Sequence, residues 1–352
     1  MSNSKRVVIR LPGVARTPDI AEHFELELEA LNSIGAELIE PESEDEDHFI
    51  EKARNADGIL TSWGVTIDAR IISELKRCAV IGVGSIGVDM IDVDAATEAG
   101  IVVTNVPDVF IEEVADHTLM FLLASSKLLK PLMGYCEEGR WWEMRSVPSA
   151  LPRLWGQTLG LLGFGNVGMG VARRAKAFGL QVIAYDPYVS DLKMTDEYVE
   201  PVSFQDVVER SDYLSLHAPD NPETKHLIGA PQFAAMKSTS FFINTARGPL
   251  VDEEALIKAL IEKQIAGAAL DVTEQEPPHK DNPLRFMKNV LLTPHTASAS
   301  SRMRKETRRR ASQEVASVLS GRWPMSCVNP TVLPRVPLER WQPVSMERGP
   351  NR

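Results

Sequence analysis

Three short segments of the chain close apolar runs with side chains suited to acid–base or anion-binding chemistry. They read Asn244-Thr245-Ala246-Arg247-Gly248, Asp271-Val272-Thr273-Glu274-Gln275-Glu276-Pro277 and Thr293-Pro294-His295-Thr296. The guanidinium of Arg247 offers a planar fork for a carboxylate and for negative charge developing on oxygen. The imidazole of His295 can exchange a proton near neutral pH. A carboxylate bonded to its other ring nitrogen would fix the tautomer and favour the imidazolium, and Glu276 is the natural candidate. Taken singly, each residue has a plainer reading: a surface ion pair for Arg247, a helix-cap acid before Pro277 for Glu276, and a hydrogen-bonded loop histidine for His295. Together they carry more, because open α/β sheets bind ligands at the carboxyl ends of their strands, where all three would meet.

A fourth segment supplies a candidate nucleotide site. The apolar run Leu159 to Leu162 leads into Gly163-Phe164-Gly165-Asn166-Val167-Gly168 and then into the helical pattern of Val171, Ala172 and Ala175. In a strand–turn–helix unit the first glycine permits the tight turn, the second lets the backbone approach a pyrophosphate, and the third allows close helix packing. The helix N-terminus adds unpaired N–H groups and partial positive charge. Asp186 closes the next apolar run, Val182 to Tyr185, at the distance where a carboxylate accepts hydrogen bonds from a ribose. Its charge would repel a ribose 2′-phosphate, and Pro187 and Tyr188 follow it with no neighbouring arginine, which favours NAD over NADP. Hydride transfer between a nicotinamide and a 2-oxo or 2-hydroxy acid needs a cation for the carboxylate and alkoxide and an acid/base for the hydroxyl proton; Arg247 and His295 have those properties.

These loops need sheets to carry them. Short runs at Val7 to Ile9, Ala36 to Ile39, Gly58 to Leu60, Val80 to Ile81 and Ile101 to Val103 alternate with helix-length patterns. A second series follows at Thr158 to Leu162, Gln181 to Tyr185, Tyr213 to Leu216, Phe241 to Asn244, Ala268 to Val272 and Val290 to Thr293. Such βαβ alternation predicts two parallel sheets and an α/β fold. Between the two series, Val114 to Lys127 fits one helix, followed by an irregular arm with Trp141 and Trp142 that either meets a partner or folds back on its own domain. The prolines after Asn329-Pro330 predict that Thr331 to Arg352 forms a tail lying along the surface or without order. The acidic stretch Glu42 to Asp47 reads as a solvated loop.

A chain of 352 residues has room for two compact domains, and its 43% hydrophobic and 25% charged shares are those of a soluble globular protein. No run approaches the roughly 18 apolar residues of a membrane span, and the N-terminus lacks the order of a signal peptide, so a cytoplasmic protein without a membrane partner is expected. The isolated cysteines Cys78, Cys136 and Cys327 support neither disulfides nor a metal site. A net charge of −11 opposes nucleic-acid binding, and the basic run Arg302 to Arg310 reads as a solvated helix face.

From about residue 50 to about residue 330 these motifs, in this order, resemble the D-isomer-specific 2-hydroxyacid dehydrogenases, a family that includes D-lactate, glycerate, hydroxypyruvate and 3-phosphoglycerate dehydrogenases. The match takes in the glycine loop, Leu216-His217-Ala218-Pro219 with Thr224, and the three segments above. The resemblance implies that Arg247 binds substrate, Glu276 is the acid partner and His295 the acid/base, with Arg247 and His295 also lining the cofactor. Asp271 would hold the nicotinamide carboxamide, while His217, Ala218, Pro219, Thr224, Thr245 and Ala246 would line the cofactor. Ile86 and Gly87 would offer amides to the substrate carboxylate.

It also implies two Rossmann-like or flavodoxin-like domains: a split substrate domain at 1–107 and 299–330, an NAD domain inserted at 108–298, and a tail at 331–352. Pairing into a homodimer is a further implication. Two departures stand out: Ser85 and Val83 replace the family's usual glycine and arginine, and Val114-Ala115-Asp116-His117 replaces Val-Ala-Glu-His. Formate dehydrogenases match less well, since Phe110 stands where an asparagine would hold formate. Small residues after His295 leave room for a substrate side chain. An NAD-responsive corepressor is similar in fold and is the alternative to an enzyme.

Overall fold

The computed structural model describes residues 6–11, 24–41, 46–62, 66–146 and 152–339. The chain divides into two compact units, Met1–Val109 with Ser301–Arg352, and Phe110–Ser300.

The first unit is built on a five-stranded sheet of β1 (Val7–Arg10), β2 (Glu37–Ile39), β3 (Gly58–Thr61), β4 (Val80–Val83) and β5 (Val102–Thr104). All pairs are parallel, in the order β2-β1-β3-β4-β5, which is the flavodoxin-like order. Both β3 and β4 are buried throughout, which is why their sequences read as unbroken apolar runs rather than alternations. The returning helix Ser301–Leu319 packs on this sheet over Gly82, where an added Cβ would lie 2.5 Å from Val315 Cγ2.

The basic run on that helix is not simply a solvated face. Arg308 grips Glu27, 2% exposed, with Nε and Nη2 at 2.6 and 2.7 Å, Arg309 pairs with Glu29 and Glu306, and Arg310 pairs with Asp108. Sequence alone could not show the pairing with Glu27 and Glu29, which lie 281 and 280 residues from their arginines.

The second unit carries a seven-stranded sheet: β6 (Thr158–Leu162), β7 (Gln181–Tyr185), β8 (Glu200–Pro201), β9 (Tyr213–Leu216), β10 (Phe241–Asn244), β11 (Gly267–Leu270) and β12 (Val290–Leu292). Its order is β12-β11-β10-β9-β6-β7-β8, parallel throughout, so the strand order reverses between β6 and β9. One apolar cluster, including Leu162, Leu216 and Phe242, fills one face; Leu161, Ile243 and Ala269 join the other. Neighbouring residues of one strand thus enter different cores, as the two-residue period of a strand demands.

The helix expected at Val114 to Lys127 runs from Ile111 to Ser126. The arm after it is more regular than expected: Leu129–Glu137 is a helix with no buried residue, and Trp141–Ser146 is a 3-10 turn in which Trp141 and Trp142 are exposed. Of the supposed acidic loop, residues 42–45 lie outside the described residues, while Glu46 and Asp47 open the helix Glu46–Ala53 and pair with Arg70. The part of the tail at 331–339 lies on the first unit, with Val332 buried and Arg335 donating to the carbonyls of Leu75 and Ala99. The rest, 340–352, is outside the described residues.

Candidate active site

At the reversal point of the seven-stranded sheet, β6 ends in Gly163, whose φ of +96° turns the chain sharply. A Cβ there would stand 2.7 Å from the carbonyl of His217, so the first glycine serves both the turn and the approach to the end of β9. Gly168 meets the oxygen of Gly163 in the same way, at 2.5 Å, which closes the loop on itself. A Cβ at Gly165 would meet nothing within 4 Å, so this glycine borders open space. The helix Asn166–Ala177 starts directly after it; its first backbone bond runs from Met169 N–H to Gly165 O at 3.0 Å, so the amides of Asn166, Val167 and Gly168 have no acceptor within the helix. This cradle, bounded by backbone and open where the second glycine stands, fits a dinucleotide pyrophosphate.

Asp186, at the end of β7, accepts the amide of Phe164 at 2.8 Å on one carboxylate oxygen and that of Tyr188 at 2.8 Å on the other. The carboxylate is thereby locked beside the glycine loop with lone pairs to spare for hydroxyl donors. After β9, the His217 ring bonds Ser215 Oγ at 2.9 Å, and burial pushes its imidazole down to about 4, so it stays neutral. Ala218 and Pro219 follow. Thr224 holds this loop by donating to Pro219 O at 2.7 Å and accepting the Asn221 amide at 3.0 Å.

The three polar segments extend the neighbouring strands β10, β11 and β12. Asn244, 1% exposed, shapes the first: its oxygen accepts the Ala246 amide and its nitrogen donates to Arg247 O. Thr245 Oγ meets Thr118 Oγ at 2.9 Å, and Arg247 is half-buried, with one guanidinium nitrogen on Ala246 O. Gly248 lets this segment lie against the next, since a Cβ there would stand 1.9 Å from Thr273 O.

Glu276 is fixed through one oxygen by the Thr273 amide at 3.2 Å, and its other oxygen meets His295 Nδ1 at 2.7 Å. Because a carboxylate only accepts, Nδ1 carries the proton and Nε2 is the nitrogen that exchanges one. His295 sits at φ +52°, an unusual backbone for a non-glycine residue, and one that persists where surrounding bonds impose it. Those bonds converge on Asp271. Its side chain is 1% exposed and accepts the Thr293 hydroxyl and the Thr296 amide on Oδ1 and the Ala297 amide on Oδ2, while its carbonyl accepts the His295 amide. The structure thus gives Asp271 a task that spacing did not reveal, the shaping of the histidine turn.

Ile86 and Gly87 belong to the first unit, in the bend after β4. Asn105 Nδ2 donates to Ile86 O and Ser85 Oγ to Gly87 O, both at 2.7 Å. Ser85 therefore braces the bend. The sequence reading quoted Asn244, Thr293 and His117 but gave none of them a task; His117 Nε2 reaches Thr293 Oγ at 3.0 Å. An asparagine two residues before a loop amide is a faint signal for the first; no spacing links His117 to Thr293 across 176 residues.

Residues 119–297 match the family model described as D-isomer specific 2-hydroxyacid dehydrogenase, NAD binding domain. The chain is 38% identical to a D-3-phosphoglycerate dehydrogenase of Methanocaldococcus jannaschii over 84% of its length, but spans only 55% of that relative. It is 36% identical to a glyoxylate reductase of Korarchaeum cryptofilum, covering 89% of this chain and 92% of the other. Among solved structures, D-lactate dehydrogenase of Aquifex aeolicus, complexed with NAD and lactic acid, aligns with a TM-score of 0.78 at 26% identity, over 90% of this chain and 96% of that one.

Proposed function

The chain belongs to the D-isomer specific 2-hydroxyacid dehydrogenases, and from that premise we propose that it moves a hydride between NAD(H) and C2 of a small 2-oxo or 2-hydroxy acid, with His295, Glu276 and Arg247 as its working side chains. The observation that carries the reading is the 2.7 Å contact between His295 Nδ1 and Glu276, which supplies an oriented acid/base at the strand ends of an NAD-binding unit. The nicotinamide, when bound, supplies or takes up the hydride.

In the reducing direction, C2 gains the hydride while its carbonyl oxygen takes the proton from His295 Nε2. Glu276 stabilises the imidazolium before that step and keeps the ring oriented after it. Arg247 pairs with the substrate carboxylate and steadies negative charge on the reacting oxygen. Asp186 accepts from the ribose and disfavours a 2′-phosphate, so NADH is the preferred reductant. The chain pairs as a homodimer through the apolar surface that carries Met120, Leu129, Met133, Trp141 and Trp142, each 46 to 70% exposed.

The deciding experiment is a panel of 2-oxo acids with NADH and NADPH, followed at the nicotinamide absorbance band. Turnover of a small 2-oxo acid with NADH is expected; no turnover across the panel overturns the reading. Sedimentation at micromolar concentration should give a dimer, and a monomer alone would refute the pairing.

A further inference from the structure

We propose that His117 is a positioning residue for proton transfer, holding through Thr293 and Asp271 the turn that presents His295. The inference rests on the reading of His295 as the acid/base, and it concerns a side chain on a helix remote in sequence from all three strand-end segments.

The direction of the bonds gives His117 its part. Thr293 Oγ lies 2.5 Å from Asp271 Oδ1 and 3.0 Å from His117 Nε2. A hydroxyl has one proton and a carboxylate only accepts, so the Thr293 proton goes to Asp271. The lone pair of Thr293 Oγ is then left for His117, whose Nε2 must be the donor. His117 thus fixes the hydroxyl in the rotamer that serves Asp271.

Burial lowers the tendency of His117 to take a second proton, against the pull of Asp271, whose Oδ1 is 3.8 Å away. The ring is held for this task by Phe121, edge-on at 4.5 Å between centroids. Its side chain is 15% exposed.

The other end of the relay is the histidine turn. Asp271 accepts the amides of Thr296 and Ala297 on the two sides of its carboxylate, and the residue in the bend is His295 at φ +52°. A side chain in that backbone conformation depends on its supports. Loosening the Thr293–Asp271 contact should let the turn relax and move His295 Nδ1 off Glu276, and displacements on the order of 1 Å at such a group can cost about 100-fold in rate.

Two variants of the full chain test this. His117→Phe keeps a ring against Phe121 and loses the donor; His117→Gln keeps an N–H on a shorter frame. The readouts are hydrogen exchange of the segment 293–299, kcat, KM for the 2-oxo acid, NADH affinity and the urea midpoint. The Phe variant should exchange faster in 293–299 and lose about 10- to 100-fold in kcat, with NADH affinity and KM within about twofold of the parent. The Gln variant should recover most of kcat and of the local protection.

Parent-like exchange and kcat in the Phe variant would overturn the inference. So would equal impairment of both variants in step with a lowered urea midpoint, since that is what a packing role alone predicts. If the parent reduces no 2-oxo acid, the acid/base reading fails, while the exchange comparison still decides whether His117 holds the turn.

Discussion

Within the seven-stranded unit, the glycine loop at 163–168 and the histidine turn at 293–297 are made by opposite means. In the loop, consecutive residues, a positive φ at Gly163 and backbone close approaches at Gly163 and Gly168 do the shaping, with one outside carboxylate, Asp186. The turn instead relies on side chains from helix Ile111–Ser126, β11 and its own segment, joined at Asp271. A backbone-built site tolerates side-chain change wherever the added atoms have room. A side-chain-built site fails through any of its partners, because each buried polar group left unpaired costs free energy.

The contrast is sharpest for the chemistry itself. His295→Ala should lower kcat by roughly 100- to 10,000-fold, with NADH affinity nearly unchanged, as checked by turnover and by fluorescence titration of NADH. Near-parent turnover would remove the histidine turn from the mechanism and leave the loop as the functional part.

The loop can be broken in two distinguishable ways. Gly163→Ala forces a Cβ into the backbone of His217 at φ +96°, and should cost about 1–2 kcal/mol from the backbone conformation alone, seen as a lower urea midpoint. Gly165→Ala meets no protein atom within 4 Å and should leave the midpoint near the parent while weakening NADH about tenfold or more, through lost approach to the pyrophosphate. Equal NADH affinity in Gly165→Ala and parent would put the pyrophosphate elsewhere.

A smaller effect is expected at Asp186. The parent should use NADH at least roughly tenfold more efficiently than NADPH, and Asp186→Ala should narrow that gap by removing the repulsion of a 2′-phosphate. Because the carboxylate also holds the Phe164 amide, some loss of NADH affinity should accompany it.

The smallest effect concerns His217, which lies between the two regions. Its folded-state value of about 4 is below the unfolded 6.5, so the unfolded chain takes up the proton first. The stability that comes from keeping this ring neutral is fully present above about 6.5 and is lost as the pH falls towards about 4. Urea midpoints at pH 7 and pH 5 should therefore differ less in His217→Gln than in the parent; an unchanged difference would show that other groups set the acid limb.

Much of this was legible in the residues. Both parallel sheets follow from apolar runs whose length and β-branching suit strands buried on both faces, and the observed strands Thr158–Leu162, Gln181–Tyr185, Tyr213–Leu216 and Phe241–Asn244 coincide with those runs. The glycine loop is legible for a similar reason: its requirements are local, so they leave a contiguous pattern. Glu276 and His295 were nameable from their chemistry, and their 2.7 Å contact came from the fold. Three features were decided only by the tertiary structure: the burial of Asp271 beneath the histidine turn, the link from His117 to Thr293, and the pairing of Arg308 with Glu27. Each joins groups more than 20 residues apart, up to 281, and a hydrogen bond or ion pair at that separation imposes no periodicity on the sequence between its partners. Local backbone demands recur along the chain and can be read there, whereas a bond between distant side chains is specified only once the sheet has set its strands side by side.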